Sequence, residues 1–216
     1  MDYFISDIHF GHKNVIRFCN RPFSTAREMN EGIIDNWNNV VSDRDRVFVV
    51  GDVFICDPEE AKAYIEELNG YKVLIKGNHD YGEKVMLNCG FDEFHKSLDY
   101  KLPDGRLALL NHYPVPDCKI DSKYDVLIHG HVHLGDRSRG KKINVSCDIW
   151  DYRPISVDTL CEIPLIDIGY DEVVDIFIDR DGALRVDLKI HAEDFSGASS
   201  FVYDFLNKNW NNRKEK

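Results

Sequence analysis

Short apolar runs that each end in a polar, glycine-containing cluster recur along the first two thirds of this 216-residue chain. The runs lie at residues 3–5, 46–50, 72–75, 106–110 and 125–128. Runs of this length, separated by segments with helical spacing, predict buried strands that alternate with helices. Because open α/β sheets bind ligands at the carboxyl ends of their strands, the polar clusters are expected to share one site.

Two helices are predicted between these strands. Ser24 can cap a helix that runs to about residue 41, in which apolar residues such as Ile33 and Trp37 recur at helical spacing. Pro58 can occupy the first turn of a second helix that continues to about residue 68, and Gly70 follows as a stop signal.

The last third of the chain has a different pattern. Apolar and polar residues alternate over 174–178 and 184–190, and Asp181-Gly182 between them is typical of a hairpin turn. The apolar spacing over 201–210 predicts a short closing helix. We therefore expect residues 1–161 to form the core, and residues 162–216 to add a β-hairpin and helix that complete the same domain.

Composition narrows the function classes. The chain is 43% apolar and 30% charged, which is ordinary for a globular protein, and its formal net charge is −11. This acidity disfavours long nucleic acids and anionic membranes as partners, but a local cation site could still bind a small phosphorylated substrate.

Targeting signals and cysteine spacing suggest a cellular location. No basic segment followed by a long apolar stretch opens the sequence, and no apolar run approaches the length of a membrane span. The six cysteines form no CxxC pair, so reduced thiols are expected. Together these features predict a cytoplasmic protein without a membrane segment.

The clusters after the five runs carry the residues that could perform chemistry. They contain Asp7-Ile8-His9, Gly51-Asp52, Gly77-Asn78-His79-Asp80, Asn111-His112 and Gly130-His131-Val132-His133. If the chain stays extended at the first cluster, Asp7 and His9 point the same way. One such motif arises easily by chance, and a single histidine is usually a surface or core residue. Five motifs in order, each at a predicted strand end, favour one shared site.

The ligand types indicate a metal site for transition metals. Candidate ligands are Asp7, His9, Asp52, Asn78, His112, His131 and His133. Mixed imidazole and carboxylate ligands suit Mn, Fe, Zn or Ni better than Mg or Ca. Seven ligands exceed the needs of one tetrahedral ion but suit two ions if a carboxylate bridges them, and such a pair promotes in-line displacement at phosphorus. We expect two divalent metal ions, with Mn first and Fe, Ni or Zn as alternatives.

The order of these motifs over about residues 1–150 resembles the calcineurin-like metallophosphoesterase superfamily. Stretches 7–12, 18–23 and 148–150 are similar to those of its small bacterial and phage phosphoesterases. The resemblance implies a four-layer α/β/β/α sandwich of two mixed sheets flanked by helices. It also implies two ligand sets with Asp52 as the bridge. The first ion would take Asp7, His9, Asp52 and His133, and the second would take Asp52, Asn78, His112 and His131.

The resemblance gives His79 a catalytic role in place of a ligand role. It implies that His79 lies near the leaving-group oxygen, as a general acid or as a hydrogen-bond donor to phosphate. Asp80 could orient His79 or only brace the loop. Protein phosphatases of the superfamily continue as GDxxDRG, whereas Ile55 occupies the position of the second carboxylate here. This departure weakens the phosphoprotein-phosphatase reading.

Several neighbouring residues are candidates for substrate binding. His12, Arg17 and Arg21 either line the cleft or lie on a surface helix, and arginine suits phosphate oxygens. Tyr113 could stack on a substrate base or simply pack against the protein, and packing is favoured. Residues 148 and 150 either shape the rim of the site or do not contribute to it.

The predicted function is a binuclear metal-dependent phosphoester hydrolase in which a metal-bridging hydroxide attacks phosphorus in line. Phosphodiesters are favoured because the protein-phosphatase signature is incomplete, with phosphomonoesters as the nearest alternative. A non-catalytic scaffold of the same fold is the rival from another class, although every ligand and His79 are present. The expected partner is a small phosphoester such as a nucleotide. A nuclease is disfavoured by the acidity, although a basic cluster follows at 137–142.

Overall fold

The computed structural model describes residues 1–165 and two later strands. In chain order, the strands are β1 (Asp2–Ile5), β2 (Arg46–Val49), β3 (Tyr71–Ile75), β4 (Glu93–His95), β5 (Leu98–Lys101), β6 (Leu107–Leu110), β7 (Val126–His129), β8 (Ser138–Arg139), β9 (Lys142–Asn144), β10 (Ile155–Ser156), β11 (Asp171–Ile178) and β12 (Leu184–His191). The helices are α1 (Lys13–Phe18), α2 (Ala26–Asn38), α3 (Pro58–Glu66), α4 (Glu83–Asn88) and α5 (Val157–Glu162).

Two mixed sheets form the larger unit of the chain, Met1–Asp167. The first sheet has the order β10-β1-β2-β3-β4, in which only β10 is antiparallel to its neighbour. The second sheet has the order β5-β6-β7-β9-β8, in which the two edge strands are antiparallel. The parallel strands of each sheet therefore deliver their carboxyl ends to one side, as the sequence predicts.

Two apolar layers hold this architecture together. Between the sheets, the ring of Tyr100 on β5 packs edge-on against Phe4 and Phe48, at centroid distances of 5.2 and 5.0 Å. On the outer face of the first sheet, residues of β1 and β2 pack with Ile33 and Trp37 of α2. Because neighbouring residues of a strand point to opposite faces, each central strand of the first sheet contributes to both layers. The result is an α/β fold of two mixed sheets flanked by helices.

All five strands predicted from the apolar runs are present, each within one residue of its expected bounds. The first predicted helix is also present, but it begins later than expected. Thr25, and not Ser24, is its N-cap, and the Thr25 side chain accepts a hydrogen bond from the backbone N–H of Glu28. The Glu28 carboxylate in turn accepts from the backbone N–H of Ser24 at 2.8 Å. This reciprocal pairing places the cap one residue further along the chain.

A second unit, Ile168–Lys216, contains the strands β11 and β12. They pair antiparallel, with Asp171 opposite His191 and Ile178 opposite Leu184. The closing helix predicted over 201–210 lies outside the described residues. The prediction that 162–216 complete the domain of the core stays a prediction.

The helices of the described residues are short. None of these helices combines the length and the apolar character that a bilayer span requires.

Candidate metal centre

Backbone hydrogen bonds join the loops that follow the strands. The N–H of Asp7 donates to the carbonyl of Gly51 at 3.0 Å, and the N–H of Ser6 donates to the carbonyl of Val145 at 2.9 Å. In the second sheet, the N–H of Gly130 donates to the carbonyl of His112 at 3.1 Å. These bonds link loops of both sheets, so the five motifs meet at one place.

The glycines that precede the candidate ligands make this close approach possible. A Cβ placed on Gly77 would lie 2.3 Å from Oδ1 of Asp52 and 2.5 Å from its backbone nitrogen. A Cβ on Gly130 would lie 2.3 Å from Oγ of Ser6. Neither position has room for a side chain, so the loops can pack only because glycine stands there.

Four of the candidate ligands have left-handed backbone conformations. The φ angles are 57° at Asp7, His9 and Asp52, and 70° at His131. Such angles are unfavourable for residues with a side chain, and they cluster at functional sites. The condition of an extended chain at Asp7-Ile8-His9 is therefore not met. The segment turns sharply, because its N–H groups pair with the loop after β2, and both side chains still enter the site.

Asp7, His9 and His133 form the first group. One ligand atom from each lies within 4.8 Å of the others, an arrangement that could hold a metal ion. Nε2 of His133 lies 3.7 Å from Oδ1 of Asp7. Burial opposes a charge on His133, but the carboxylates of Asp7 and Asp148 outweigh it and raise the pKa of His133 well above its usual range.

Asp148 and Arg21 hold this first group from behind. Nδ1 of His133 donates to Oδ2 of Asp148 at 2.7 Å, which leaves Nε2 directed toward Asp7. The Arg21 guanidinium donates to both Asp148 oxygens at 2.8 Å and to the carbonyls of Asp7 and Ile8. Both side chains are buried, and burial opposes ionisation of Asp148 while Arg21 and His133 lower its pKa.

Arg21 therefore differs from both sequence expectations. It neither lines the cleft nor lies on a surface helix, because it is buried and its N–H groups already bind protein oxygens. Trp150 is also buried, between the two sheets, and its indole N–H donates to the carbonyl of Asn144. Asp148, in contrast, contacts the candidate ligand His133.

Asp52, His112 and His131 form the second group, with Asn78 between the two rings. The ligand atoms of Asp52, His112 and His131 also lie within 4.8 Å of one another. Oδ1 of Asn78 lies 3.0 Å from Nε2 of His112 and 3.0 Å from Nδ1 of His131. Nδ1 of His112 donates to the carbonyl of Val50 at 2.8 Å, so Nε2 faces the centre. Burial disfavours a charged ring, yet the hydrogen bond to the Asp52 carboxylate and the charge of Asp7 raise the pKa of His112 to about 9.

Asp52 lies between the two groups. Its Oδ2 is 3.4 Å from Nε2 of His112 in the second group and 3.7 Å from Nε2 of His9 in the first. Burial would raise the pKa of Asp52, but the adjacent His112, His9 and His79 lower it well below its usual range. A single ionised carboxylate is thus placed where a bridging ligand would be needed.

Asp80 braces the loops around Asp52. Its carboxylate accepts hydrogen bonds from the backbone N–H groups of Asp52, Val53 and Gly77, at 2.7 to 3.0 Å. Burial raises the pKa of Asp80 in spite of these bonds. Of the two alternatives considered for this residue, the structure supports the bracing role.

His79 lies at the exposed edge of the centre. Its backbone N–H donates to Oδ1 of Asp52 at 2.9 Å, and its ring nitrogen Nε2 is 3.9 Å from Oδ2 of the same residue. Its ring centroid is 5.5 Å from that of His9. About half of the side chain remains exposed, so a substrate could reach it.

The remaining substrate-binding candidates occupy different environments. His12 is partly buried, with its ring centroid 5.3 Å from that of His9. Arg17 is exposed on α1, as the surface-helix alternative predicts. Tyr113 is exposed, and its ring contacts the rings of His112 and His131 at 5.2 and 4.9 Å. The ring of Tyr113 thus packs over the second group at an exposed position, and its stacking on a substrate base stays a prediction.

Sequence reasoning missed a further potential ligand, Cys19. Its Sγ lies within 4.8 Å of ligand atoms of His133 and Asp148. The signal that could have found it is its place in the stretch 18–23, which was noted for its resemblance and not for its chemistry.

The surroundings of the buried His9 imidazole indicate whether a metal ion fits this centre. The residue is only 2% exposed, yet neither ring nitrogen has a hydrogen-bond partner among the residues that the structure describes. An unpartnered buried polar atom is unfavourable, and a cation beside Asp7 and Asp52 would satisfy it. The mixed imidazole, carboxylate and amide donors fit a divalent transition metal.

Comparison with known proteins identifies relatives along most of the chain. Residues 3–150 match the calcineurin-like phosphoesterase family. An uncharacterised protein of Methanocaldococcus jannaschii is 38% identical over 176 residues, which span 74% of this chain and 89% of that protein.

A solved structure agrees with this relationship. The crystal structure of a protein of unknown function from Aquifex aeolicus is 29% identical and has a TM-score of 0.61, covering 75% of this chain and 98% of that one. The family match spans all seven candidate ligands and His79. The chain belongs to the calcineurin-like phosphoesterase family.

Proposed function

We propose that this protein is a binuclear metal-dependent phosphoester hydrolase that prefers phosphodiesters. The observation that carries the proposal is the position of Asp52, whose Oδ2 is 3.4 Å from His112 of one group and 3.7 Å from His9 of the other. One carboxylate shared by two ligand groups is the arrangement that a pair of metal ions requires. Mn is the first candidate for both ions, with Fe, Ni or Zn as alternatives.

The residues of the chain have distinct proposed roles. Asp7, His9, Asp52 and His133 would hold one ion, and Asp52, Asn78, His112 and His131 would hold the other. When bound, such ions neutralise phosphoryl charge and lower the pKa of a shared water.

At the exposed edge, His79 would bind a phosphoryl oxygen and donate a proton to the departing alcohol oxygen. His79 is anchored for this task by its backbone N–H, which donates to Asp52. Most of the rate enhancement would come from positioning and electrostatics.

The proposed substrate is a small phosphoester, with nucleotides as candidates, and the proposed location is the cytoplasm. The incomplete protein-phosphatase signature, with Ile55 in place of a carboxylate, supports diesters over phosphoproteins. A role on long nucleic acid has weak support. In the basic cluster, Arg137 stacks on Trp150 and Lys142 is buried against Asp117, and the net charge is −11.

The test is a panel of mono- and diesters assayed on stripped protein that has been reloaded separately with Mn, Fe, Ni or Zn. Metal content is measured at the same time. Asp52→Asn is expected to lower kcat/KM roughly 10⁴-fold, as removal of a central catalytic group does. Asp99→Asn is the matched control, because Asp99 is an exposed aspartate paired with Lys123, and its activity should stay unchanged.

Each component of the proposal can fail separately. A preference for monoesters would overturn the diester assignment and keep the hydrolase. A wild type that binds no metal and hydrolyses no ester would favour the non-catalytic scaffold. Activity on polynucleotides that falls steeply with salt would favour a nuclease.

A further inference from the structure

A cavity of about 350 Å³ opens beside His79. It is lined by Phe54, Ile55, Cys56, His79, Asp80 and Tyr81. Its volume lies at the lower end of the range for small-molecule sites, which suits one ring system better than an extended chain. Nε2 of His79 also lies 3.9 Å from Oδ2 of Asp52, so the cavity adjoins the candidate metal centre.

The walls of the cavity are apolar and partly aromatic. Phe54 and Tyr81 stack with their ring centroids 5.6 Å apart and their planes 20° apart. Tyr81 is 44% exposed and Ile55 is 36% exposed, so two large apolar side chains face solvent at the same place. Such exposure next to a candidate active centre favours contact with a ligand.

The cavity offers little charge to a ligand. The Asp80 carboxylate is buried and already accepts three backbone hydrogen bonds. The Cys56 thiol is neutral, because burial and nearby acidic residues raise its pKa to about 12. His79 and the hydroxyl group of Tyr81 are therefore the polar groups of this lining that a substrate can engage, and the remaining surface suits an uncharged group.

We propose that this cavity binds the leaving group of the phosphoester, and that this group carries an uncharged aromatic ring such as an aryl group or a nucleoside base. The proposal rests on the proposed function, since it names the substrate class of the same site. A flat ring could stack on the exposed face of the Phe54–Tyr81 pair while its ester oxygen lies near His79.

Hydrolysis with the leaving group bound in this cavity accounts for every bond and proton. The oxygen of water forms a bond to phosphorus while the bond from phosphorus to the ester oxygen breaks. The departing oxygen takes a proton from His79, and the proton released by the attacking water restores His79. The products are an aromatic alcohol or nucleoside and the remaining phosphate monoester.

The test uses the full chain loaded with Mn and four esters of methylphosphonic acid, each with one leaving alcohol. These alcohols are methanol, cyclohexylmethanol, benzyl alcohol and the 5′-hydroxyl of uridine. We expect kcat/KM for the benzyl and uridine esters to exceed that of the methyl ester about tenfold or more through a lower KM, equal to about 1.4 kcal/mol of binding.

Tyr81→Ala should remove most of this advantage, so that the ratio of kcat/KM for the benzyl ester to kcat/KM for the methyl ester falls toward one. Tyr81→Leu, which keeps the apolar wall, should remove the preference for benzyl over cyclohexylmethyl. The matched control is Tyr71→Ala, because Tyr71 is 43% exposed at the start of β3, at the other end of the strand from the centre. This variant should keep the wild-type preference.

The outcomes separate this proposal from the function on which it rests. Equal rates for the methyl and benzyl esters, or an equal loss of all rates in Tyr81→Ala, would overturn the proposed cavity role. Absence of hydrolysis for all four esters would overturn the proposed function. In that case, calorimetry with the same esters decides the cavity role, which fails if the benzyl and methyl esters bind equally.

Discussion

The two ligand groups of the metal centre use similar residues but are held in different ways. In the first group, the His133 ring is fixed by a side chain, Asp148, which is itself paired with the buried Arg21. In the second group, the His112 ring is fixed by a backbone carbonyl, that of Val50. The first group thus depends on a buried ion pair between distant parts of the sequence, and the second depends on the path of the main chain.

This difference determines how each group can be damaged. A substitution can remove a partner from the ion pair behind the first group and leave a charge buried without compensation. No substitution removes the Val50 carbonyl, so the second group is sensitive mainly to changes that push its loops apart. The predictions below test this distinction with one variant for each kind of support and one pair far from the centre.

Arg21→Met is expected to have the largest effect on stability. It takes the guanidinium away from the buried Asp148 carboxylate, which then relies on His133 for its positive charge, and it removes the Arg21 donors from the carbonyls of Asp7 and Ile8. Breaking a buried pair in this way costs about 3–5 kcal/mol of unfolding free energy. Urea denaturation monitored by circular dichroism measures the change.

Arg27→Met is the control for this prediction. Arg27 forms an ion pair of similar length with Glu31, 2.7 Å against 2.8 Å, but its side chain is 87% exposed. Its loss should leave the free energy of unfolding almost unchanged, because solvent screens the pair. Similar costs for Arg21→Met and Arg27→Met would contradict the view that a buried pair supports the first group.

Gly77→Ala should have the next largest effect, and it acts on the second group. The new Cβ would meet the Oδ1 and backbone nitrogen of Asp52, so the loop after β3 must move away. Overpacking of this kind typically costs about 1–3 kcal/mol. Unfolding measurements give this cost, and calorimetric Mn titration shows whether metal binding weakens in parallel.

Gly82→Ala provides the matched glycine substitution. Gly82 is the N-cap of α4 with a φ of −70°, and a Cβ there would have no atom within 4 Å. Its stability should stay within about 0.5 kcal/mol of wild type. If Gly77→Ala proves equally harmless, the close approach of the two loops is not needed for the second group.

The same contrast explains which parts of the centre could be predicted from sequence. Asp52, Asn78, His112 and His131 follow strands whose apolar runs are visible in the sequence, and local glycines mark the turns. Parallel strands bring their carboxyl ends to one edge of each sheet, so convergence within a sheet follows from strand order, and the family resemblance implied how the two sheets meet. Fold class and ligand convergence were therefore accessible without coordinates.

The support of the first group was not accessible in the same way. Arg21 and Asp148 are 127 residues apart and belong to no apolar periodicity, so nothing local indicates that they pair. The sharp turn at Asp7 and His9 was also missed, because its conformation is imposed by pairing with the loop after β2 and not by residue type. Both features arise from tertiary packing, which local sequence patterns do not specify.

Asp2→Asn should have the smallest effect on the free energy of unfolding. It removes the ion pair of Asp2 with Arg46, which lies at the end of the strands opposite to the metal centre. Oδ2 of Asp2 accepts from Arg46 at 2.7 Å and from the Tyr100 hydroxyl at 2.6 Å, which links β1 to the second sheet. Burial opposes ionisation, but these two hydrogen bonds lower the pKa of Asp2 below 3.8. Because the pair is partly exposed, its loss should cost no more than about 1 kcal/mol near neutral pH.

The pH dependence of this small cost gives the decisive measurement. A carboxyl group whose pKa is lowered by folding stabilises the protein above its unfolded pKa, and that contribution disappears as the pH falls through the folded pKa. Urea unfolding curves of wild type and Asp2→Asn should therefore differ near pH 7 and converge as the pH falls through the folded pKa of Asp2. A gap that persists in acid would mean that Asp2 acts through neutral hydrogen bonding. If Asp2→Asn lowers the free energy of unfolding as much as Arg21→Met does, burial does not explain the importance of the Arg21–Asp148 pair.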